Sequence, residues 1–352
     1  MEPEAPTEQA VALFLRESLG LSCLQLRPLH GGRNSRVFLA PCAGDVRVVV
    51  KAYHRSVNDF RDRLGTEWNA FSFLIEQGIA WVPKPLACAP SQQLAAYEHI
   101  VGTNPQPAAL DSSDIRQAVA VLKKLFQLGR SAVLQDDRFR PASEACFSIQ
   151  SIFENLEDRL LTLRAHAGRA PELALFLEED LLPFYQAAVE SCKTDACAKG
   201  ISTWDPLLKE ARTLSPSDFG FHNALRRPGG ELVFLDFEYF GWDDPAKTVS
   251  DFLLHPAMPM APALRNQFLA EALTAFAGVP GLEDRLRLVF PLFGIKWCCI
   301  LLNEFTKEHA ERRVFADGAH SVESPLEQKK VVQLSKSRAM LASLRNASLP
   351  LP

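Results

Sequence analysis

The sequence has no C-x-x-C pair. Its eight cysteines stand at 23, 42, 88, 146, 192, 197, 298 and 299, and no Cys/His pairing has zinc-ligand spacing. A structural zinc site is therefore not expected. Several cysteines lie in apolar runs such as "IKWCCILL", which reads as buried thiols in a reducing compartment. The N-terminus, "MEPEAPTEQA", is acidic and lacks an apolar core, so it does not read as a secretory signal. The longest apolar stretch, "LVFPLFGIKWCCILL", is interrupted by Pro291, Gly294 and Lys296 and reads as a buried core helix, not a membrane span. Positive charge is not in excess. Lys and Arg total 38 against 42 Asp and Glu, and the net charge is −4. Nothing in that balance calls for nucleic acid or an anionic membrane as partner. Internal repeats are also absent. What remains is an ordinary globular composition, 47% hydrophobic and 23% charged, in a chain of 352 residues. That length suits two domains or one two-lobed unit, and the class expected is a cytoplasmic enzyme or binding protein.

"TEQAVALFLRESLG" has apolar residues at helical spacing and ends at Gly20. Three strand-like segments follow, "CLQLRPL", "SRVFLAP" and "DVRVVVKAY", separated by the turn-rich "HGGRN" and "CAGD". They predict an antiparallel meander. A helix is predicted over "DFRDRLGTEWNAFSFLIEQG", with Leu64, Trp68, Phe71 and Leu74 or Ile75 on one side, then two strands at "KPLACAP" and "LAAYEHI". From about residue 111 helical patterns dominate, except that "LVFLDFE" reads as a strand. The expected fold class is α+β: a small β-rich part over residues 1–100 and a larger helical part over 101–352, with a hinge near 97–104. The tail "EQKKVVQLSKSRAMLASL" reads as an amphipathic helix packed on the helical part.

The stretch "SPSDFGFHNALRRPGGELVFLDFEYFGWDDP" carries the polar residues at telling intervals. Asp218 is followed five residues later by Asn223. Thirteen residues further, past the hairpin-type turn "RRPGGE", comes Asp236 at the end of "ELVFLDFE". Phosphoryl transfer to an alcohol needs a carboxylate to orient or deprotonate the hydroxyl, and oxygen ligands for Mg²⁺ on the nucleotide phosphates. It also needs a cation on the α/β-phosphates and a backbone-rich turn over them. The spacing assigns the base to Asp218 and the metal ligands to Asn223 and Asp236. The triplet Asp218-Phe219-Gly220 imitates a kinase metal triplet, but that register would need an upstream catalytic Asp followed by an Asn at the right offset, and neither Asp195 nor Asp205 has one. Asp236-Phe237-Glu238 takes the metal-binding place.

With "LDFEYFGWDDPAKTVSDF" included, these residues resemble the aminoglycoside phosphotransferase and choline kinase superfamily, small-molecule relatives of the protein kinases. The resemblance covers about residues 20–310 and is strongest over 215–255. It implies a protein-kinase-like two-lobed fold with an antiparallel β-rich N-terminal lobe and a helical C-terminal lobe. It further implies Mg²⁺ as cofactor, ATP as co-substrate and a small-molecule hydroxyl as acceptor. Lys51 stands where the family has its strand lysine, and Glu67 where it has the partner of that lysine. The phosphate-covering turn falls on "LHGGRNSRVFLA", with Gly31, Gly32 and Ser35 presenting backbone N–H groups. A full G-x-G-x-x-G is missing there. "YEHIVGTNP" resembles the family hinge, with Glu98 to Ile100 on the adenine edge. At the catalytic loop the family reads H-x-D-x-x-x-x-N, whereas this chain has Pro216 two residues before Asp218. Ser215, Ser217 and His222 are the candidates to prop the loop instead.

Other polar residues read less sharply. Glu238 reads as a group behind the metal ligands, as a contact of a second metal, or as a structural residue, and Asp244 and Asp251 resemble the family's turn acids, Asp251 as a support for the catalytic loop. His222 and His255 read as local hydrogen-bonding groups and Trp242 as a packing residue. Trp297, Leu301 and Glu304 share a helical face, with Trp297 read as core and Glu304 as a surface charge. Three rivals stay open: a nucleotide-binding scaffold without activity, a protein kinase, and a non-enzymatic interaction protein. No A-P-E-like segment follows Asp236, which weighs against a protein kinase. Amino alcohols, aminoglycosides and sugars all remain possible acceptors, and GTP could replace ATP.

Overall fold

A computed structural model describes residues 7–29, 35–54, 61–131, 138–306 and 323–346. The chain forms two compact units. Among the described residues, one draws on Met1–Pro105 and Asn223–Tyr239; the other draws on Gln106–His222, Phe240–Lys307 and Glu323–Pro352.

The first unit is built on a five-stranded antiparallel sheet. Helix α1 (Glu8–Leu19) leads into β1 (Arg27–Leu29), β2 (Ser35–Pro41) and β3 (Arg47–Tyr53), and helix α2 (Arg63–Glu76) precedes β4 (Pro85–Ala89) and β5 (Leu94–Glu98). The strand order is β1-β2-β3-β5-β4. Alternation along β3 sorts its side chains to two faces. Val48, Val50 and Ala52 join Phe38, Ala40 and Leu94 in a core with Val11, Phe14 and Leu15 of α1. Lys51 and Tyr53 point to the other face, where Tyr97 of β5 meets Phe71 of α2 edge-on at 5.6 Å. Helix α2 starts on Asp62, whose carboxylate accepts from Gly65 N at 2.9 Å. A two-stranded ribbon, β6 (Ala224–Arg226) with β7 (Leu232–Phe234), belongs to the same unit through Asn223–Tyr239. Its Arg226 exchanges backbone hydrogen bonds with Thr103.

The second unit is mostly helical: α3 (Ser112–Gly129), α4 (Ile149–Ala167), α5 (Pro171–Phe176), α6 (Leu182–Ala198), α7 (Pro245–Leu254), α8 (Pro262–Ala275), α9 (Leu282–Leu301) and α10 (Glu323–Asn346). A π-helical stretch, Leu177–Leu181, joins α5 to α6. A second ribbon pairs Thr213–Ser215 with Gly241–Asp243. Helix α7 is buried along its whole length, and Asp244 caps it by accepting from Ala246 N at 2.8 Å. Helix α10 lies on α9, where a Cβ on Gly294 would stand 2.4 Å from Leu344, so glycine is what allows that approach. Ser337 of α10 donates to the Cys298 carbonyl at 3.1 Å. Among the described residues one segment, Leu282–Phe305, is long and apolar enough to cross a membrane, and 78% of its most apolar window is buried inside the protein. It is a core helix, as its interrupting Pro291, Gly294 and Lys296 suggested.

The antiparallel sheet and the helical remainder agree with the expected fold class. Strands are shorter than the patterns suggested: "CLQLRPL" yields only β1 and an isolated bridge at Cys23, and "LVFLDFE" stops pairing at Phe234.

Candidate active site

In the first unit the centre is Lys51, buried on the α2 face of β3. Its Nζ lies 2.8 Å from Glu67 Oε2 and 2.5 Å from Asp236 Oδ1, with Glu238 Oε2 at 3.5 Å. Burial opposes the ammonium charge, but Asp236, Glu67 and Glu238 outweigh it and raise the lysine well above its usual range. The group is a fixed cation.

Glu67, on α2, is buried and fully engaged. Oε2 takes Lys51 and the hydroxyl of Tyr53, while Oε1 accepts from the Phe237 backbone N–H at 2.9 Å. Tyr53 in turn meets Tyr97 oxygen to oxygen at 2.7 Å. One carboxylate therefore ties strand β3, helix α2 and the segment after β7. Tyr53 was missed from the sequence, although its place two residues after Lys51 puts both on one strand face.

Asp236 has φ 64°, a left-handed conformation rare for a residue other than glycine. This ends the strand pairing and turns the carboxylate toward Lys51. Its side chain is 38% exposed, so it retains access to solvent. The preceding residue, Leu235, donates its N–H to the Asn223 carbonyl at 2.8 Å, which holds the two metal-ligand candidates in neighbouring backbone. Glu238 is buried beside Arg63, with Oε1 3.6 Å from Nε. Burial, then the Asp236 charge, pushes its carboxyl up. Arg63, only 1% exposed, carried no signal in the sequence beyond its helix-start position. Asn223 and Asp236 supply amide and carboxylate oxygens, the hard donors Mg²⁺ takes.

Of the nucleotide candidates, Ser35 is buried at the start of β2, opposite Tyr53 in the register. Gly31 and Gly32 lie outside the described residues. Glu98 ends β5, and its N–H donates to the Lys84 carbonyl at 2.9 Å. Ile100 is buried just beyond.

In the second unit Asp218 lies in a tight loop whose preceding residue, Ser217, has φ 68°. Pro216 precedes it, and three side chains prop the loop. Ser215 Oγ accepts from Ser217 N at 3.0 Å, Ser217 Oγ donates to the Ser143 carbonyl at 3.0 Å, and His222 Nε2 meets Asp218 Oδ1 at 3.2 Å. A second imidazole, His255 Nε2, stands 3.4 Å from the same oxygen. The two rings stack at 3.7 Å, and His255 rests edge-on against Trp297 at 4.6 Å. Burial alone would raise the Asp218 carboxyl, but the hydrogen bonds from His222 and His255 outweigh it and hold the carboxyl well below its usual range. Asp218 is an ionised, oriented acceptor.

Beneath the loop sits Lys247, fully buried. Its Nζ donates to Asp243 Oδ2 at 2.7 Å, lies 3.1 Å from Asp251 Oδ2, and reaches Ser217 Oγ at 3.1 Å. The two carboxylates keep the ammonium protonated well above its ordinary range against the cost of burial. Asp251 also accepts from Trp297 Nε1 at 2.9 Å. It thus supports the Asp218 loop through Lys247 and the histidine pair through Trp297. Lys247 was overlooked, yet Lys247 and Asp251 stand four residues apart on one face of α7, and Asp243 closes the strand just before that helix. Glu304 departs from expectation. It is 6% exposed, not a surface charge, because the short 3₁₀ turn Leu302–Phe305 at the end of α9 carries it inward.

No protein-family model matches the chain, and no curated protein matches it by sequence. Solved structures do. Choline kinase from Cryptosporidium parvum superposes with a TM-score of 0.58 at 11% identity, over 96% of this chain and 97% of that one. The fold is that of choline kinases and aminoglycoside phosphotransferases. Choline kinase LicA from Streptococcus pneumoniae gives a TM-score of 0.59 at 14% identity, covering 96% of this chain and 99% of its own. Spectinomycin phosphotransferase, solved with ADP and spectinomycin, gives 0.60 at 12% identity, over 95% and 99%. This kinase fold accounts for the β-rich first unit and the helical second one.

Proposed function

We propose that the protein is an ATP- and Mg²⁺-dependent phosphotransferase that moves the γ-phosphate to a hydroxyl of a small molecule. The observation that carries the reading is Lys51, bonded at 2.8 Å to Glu67 and at 2.5 Å to Asp236, on a kinase fold. In this reading Lys51, fixed by Glu67, holds the α/β-phosphates, and Gly31, Gly32 and Ser35 cover them with backbone N–H groups. Glu98 and Ile100 border the adenine. Asn223 and Asp236 hold Mg²⁺, which when bound neutralises charge developing on the phosphoryl oxygens. Asp218 accepts the hydrogen bond of the acceptor hydroxyl and aims its lone pair at phosphorus. Since the transition state of phosphoryl transfer is loose, a low-basicity carboxylate suffices. Orientation matters more than proton affinity.

The test is Mg·ATP-dependent ADP release by purified protein against separate pools of amino alcohols, aminoglycosides, and sugars and polyols, with Asp218→Asn as control. Release that needs one pool and disappears in the variant supports the reading and gives the acceptor class. ATP binding without stimulation by any pool points to a nucleotide-binding scaffold. Failure to bind Mg·ATP overturns the assignment.

A further inference from the structure

Cys23 and Cys42 face each other across an isolated antiparallel bridge. Two backbone hydrogen bonds frame them: Leu24 N to the Pro41 carbonyl at 2.9 Å, and Ala43 N to the Ser22 carbonyl at 3.1 Å. Bonds from the residues on either side make the cysteines a non-hydrogen-bonded pair. In such pairs the Cα atoms approach to about 4.5 Å and the side chains lie closer than elsewhere in a ladder. That separation falls inside the range a disulfide spans. The Cys42 thiol, which donates to the Ala40 carbonyl at 3.4 Å, is pushed up by burial and next by the neighbouring Cys23. The pair differs in access, since Cys42 is 3% exposed within the α1 core and Cys23 lies half-buried at its margin.

We propose that Cys23 and Cys42 form a modification site that closes into an intrachain disulfide on exposure to an oxidised low-molecular-weight disulfide such as glutathione disulfide. The more accessible Cys23, as thiolate, attacks one sulfur of the oxidant and expels a glutathione thiolate, leaving a mixed disulfide on Cys23. Cys42, losing its proton, attacks Cys23 Sγ of that mixed disulfide and expels the second glutathione. Both cysteine sulfurs are oxidised, one glutathione disulfide is reduced to two glutathiones, and the two thiol protons leave with them. The buried, high-lying Cys42 thiol suits the second, intramolecular step, where proximity replaces nucleophilicity. The bond would close a ring containing β1, whose three residues are all exposed, and tie the chain after α1 to the end of β2. Ring closure restricts the unfolded chain, so the oxidised protein is expected to be the more stable form.

The experiment incubates the full-length protein with excess glutathione disulfide, blocks remaining thiols, digests with trypsin and reads the peptides by mass. Cleavage after Arg36 separates the two cysteines unless a disulfide joins them. The expected result is one linked peptide pair, loss of two of the eight thiols, reversal by dithiothreitol, and a raised thermal midpoint. In Cys23→Ser, a change at the half-buried member, the linked pair and the midpoint shift both disappear. A lasting glutathione adduct on Cys23, a bond from either residue to another cysteine, or no reaction at either residue would each overturn the proposal.

Discussion

His222 and His255 stack ring on ring, centroids 3.7 Å apart and planes 9° from parallel, with both Nε2 atoms facing one oxygen of Asp218. The carboxylate is thereby held through Oδ1 by two imidazoles. Replacing both histidines by glutamine is expected to lower kcat by about 10²-fold, the usual cost of a misplaced reacting group, while KM for ATP stays unchanged. Steady-state kinetics with whichever acceptor pool the ADP-release assay selects decides it. An unchanged kcat would mean that the loop backbone alone orients Asp218. The same contacts set a pH signature. Asp218 titrates below its unfolded value, so its stabilising contribution is present above the ordinary carboxylate range and is lost as pH falls through the depressed one. Acid unfolding of the double variant should begin at higher pH than that of the parent.

Lys51→Met leaves Glu67 and Glu238 as buried carboxylates without their shared cation. Removing one partner from a buried ion cluster costs about 3–5 kcal/mol. Urea unfolding should show a loss of that order, and calorimetry should show no Mg·ATP binding. Glu67→Gln should be milder for stability, because its carbonyl oxygen can still accept from Phe237 N.

Lys247→Met removes the cation between Asp243 and Asp251 and frees Ser217 Oγ from its donor. The expected loss is again about 3 kcal/mol or more. Adding Asp243→Asn should restore part of it, because the uncompensated buried charge is then gone. Equal stability of the single and double variants would show that the lysine contributes by packing alone.

Glu144 reports on acid stability. Lys296 and Arg159 outweigh its burial and bring its carboxyl down to about 2. A depressed carboxylate contributes stability above its unfolded value and loses it as pH falls through the folded one. The contribution at neutral pH is on the order of 2 kcal/mol after allowance for its partial exposure. Glu144→Gln should therefore be less stable than the parent at pH 7 and equal to it near pH 2, as followed by thermal melts across that range.

Much of this arrangement could be read in one dimension. The separations from Asp218 to Asn223 and on to Asp236 singled out three residues, and strand alternation put Lys51 on a face away from the α1 core. The four-residue step from Lys247 to Asp251 within α7 was equally visible, though it drew no reading. Contacts between distant segments were not. His255 lies 37 residues beyond Asp218, and no periodicity links them. Arg63 and Glu304 are charged residues near helix ends, a pattern that ordinarily means solvent, and only the tertiary packing buries them. The early end of pairing at Phe234 follows from the left-handed backbone of Asp236, which an aspartate does not announce.

The segment Asn223–Tyr239 leaves the second unit, completes the first, and returns. Chain order and spatial order therefore part company. A fragment ending at Pro105 would contain Lys51 and Glu67 but neither the aspartate that faces the lysine nor the Phe237 amide that fastens the glutamate. Such a fragment would be an incomplete folding unit with stranded buried charge. Splitting this protein into independent modules would require breaking the chain on both sides of Asn223–Tyr239 as well as after Pro105, not a single cut.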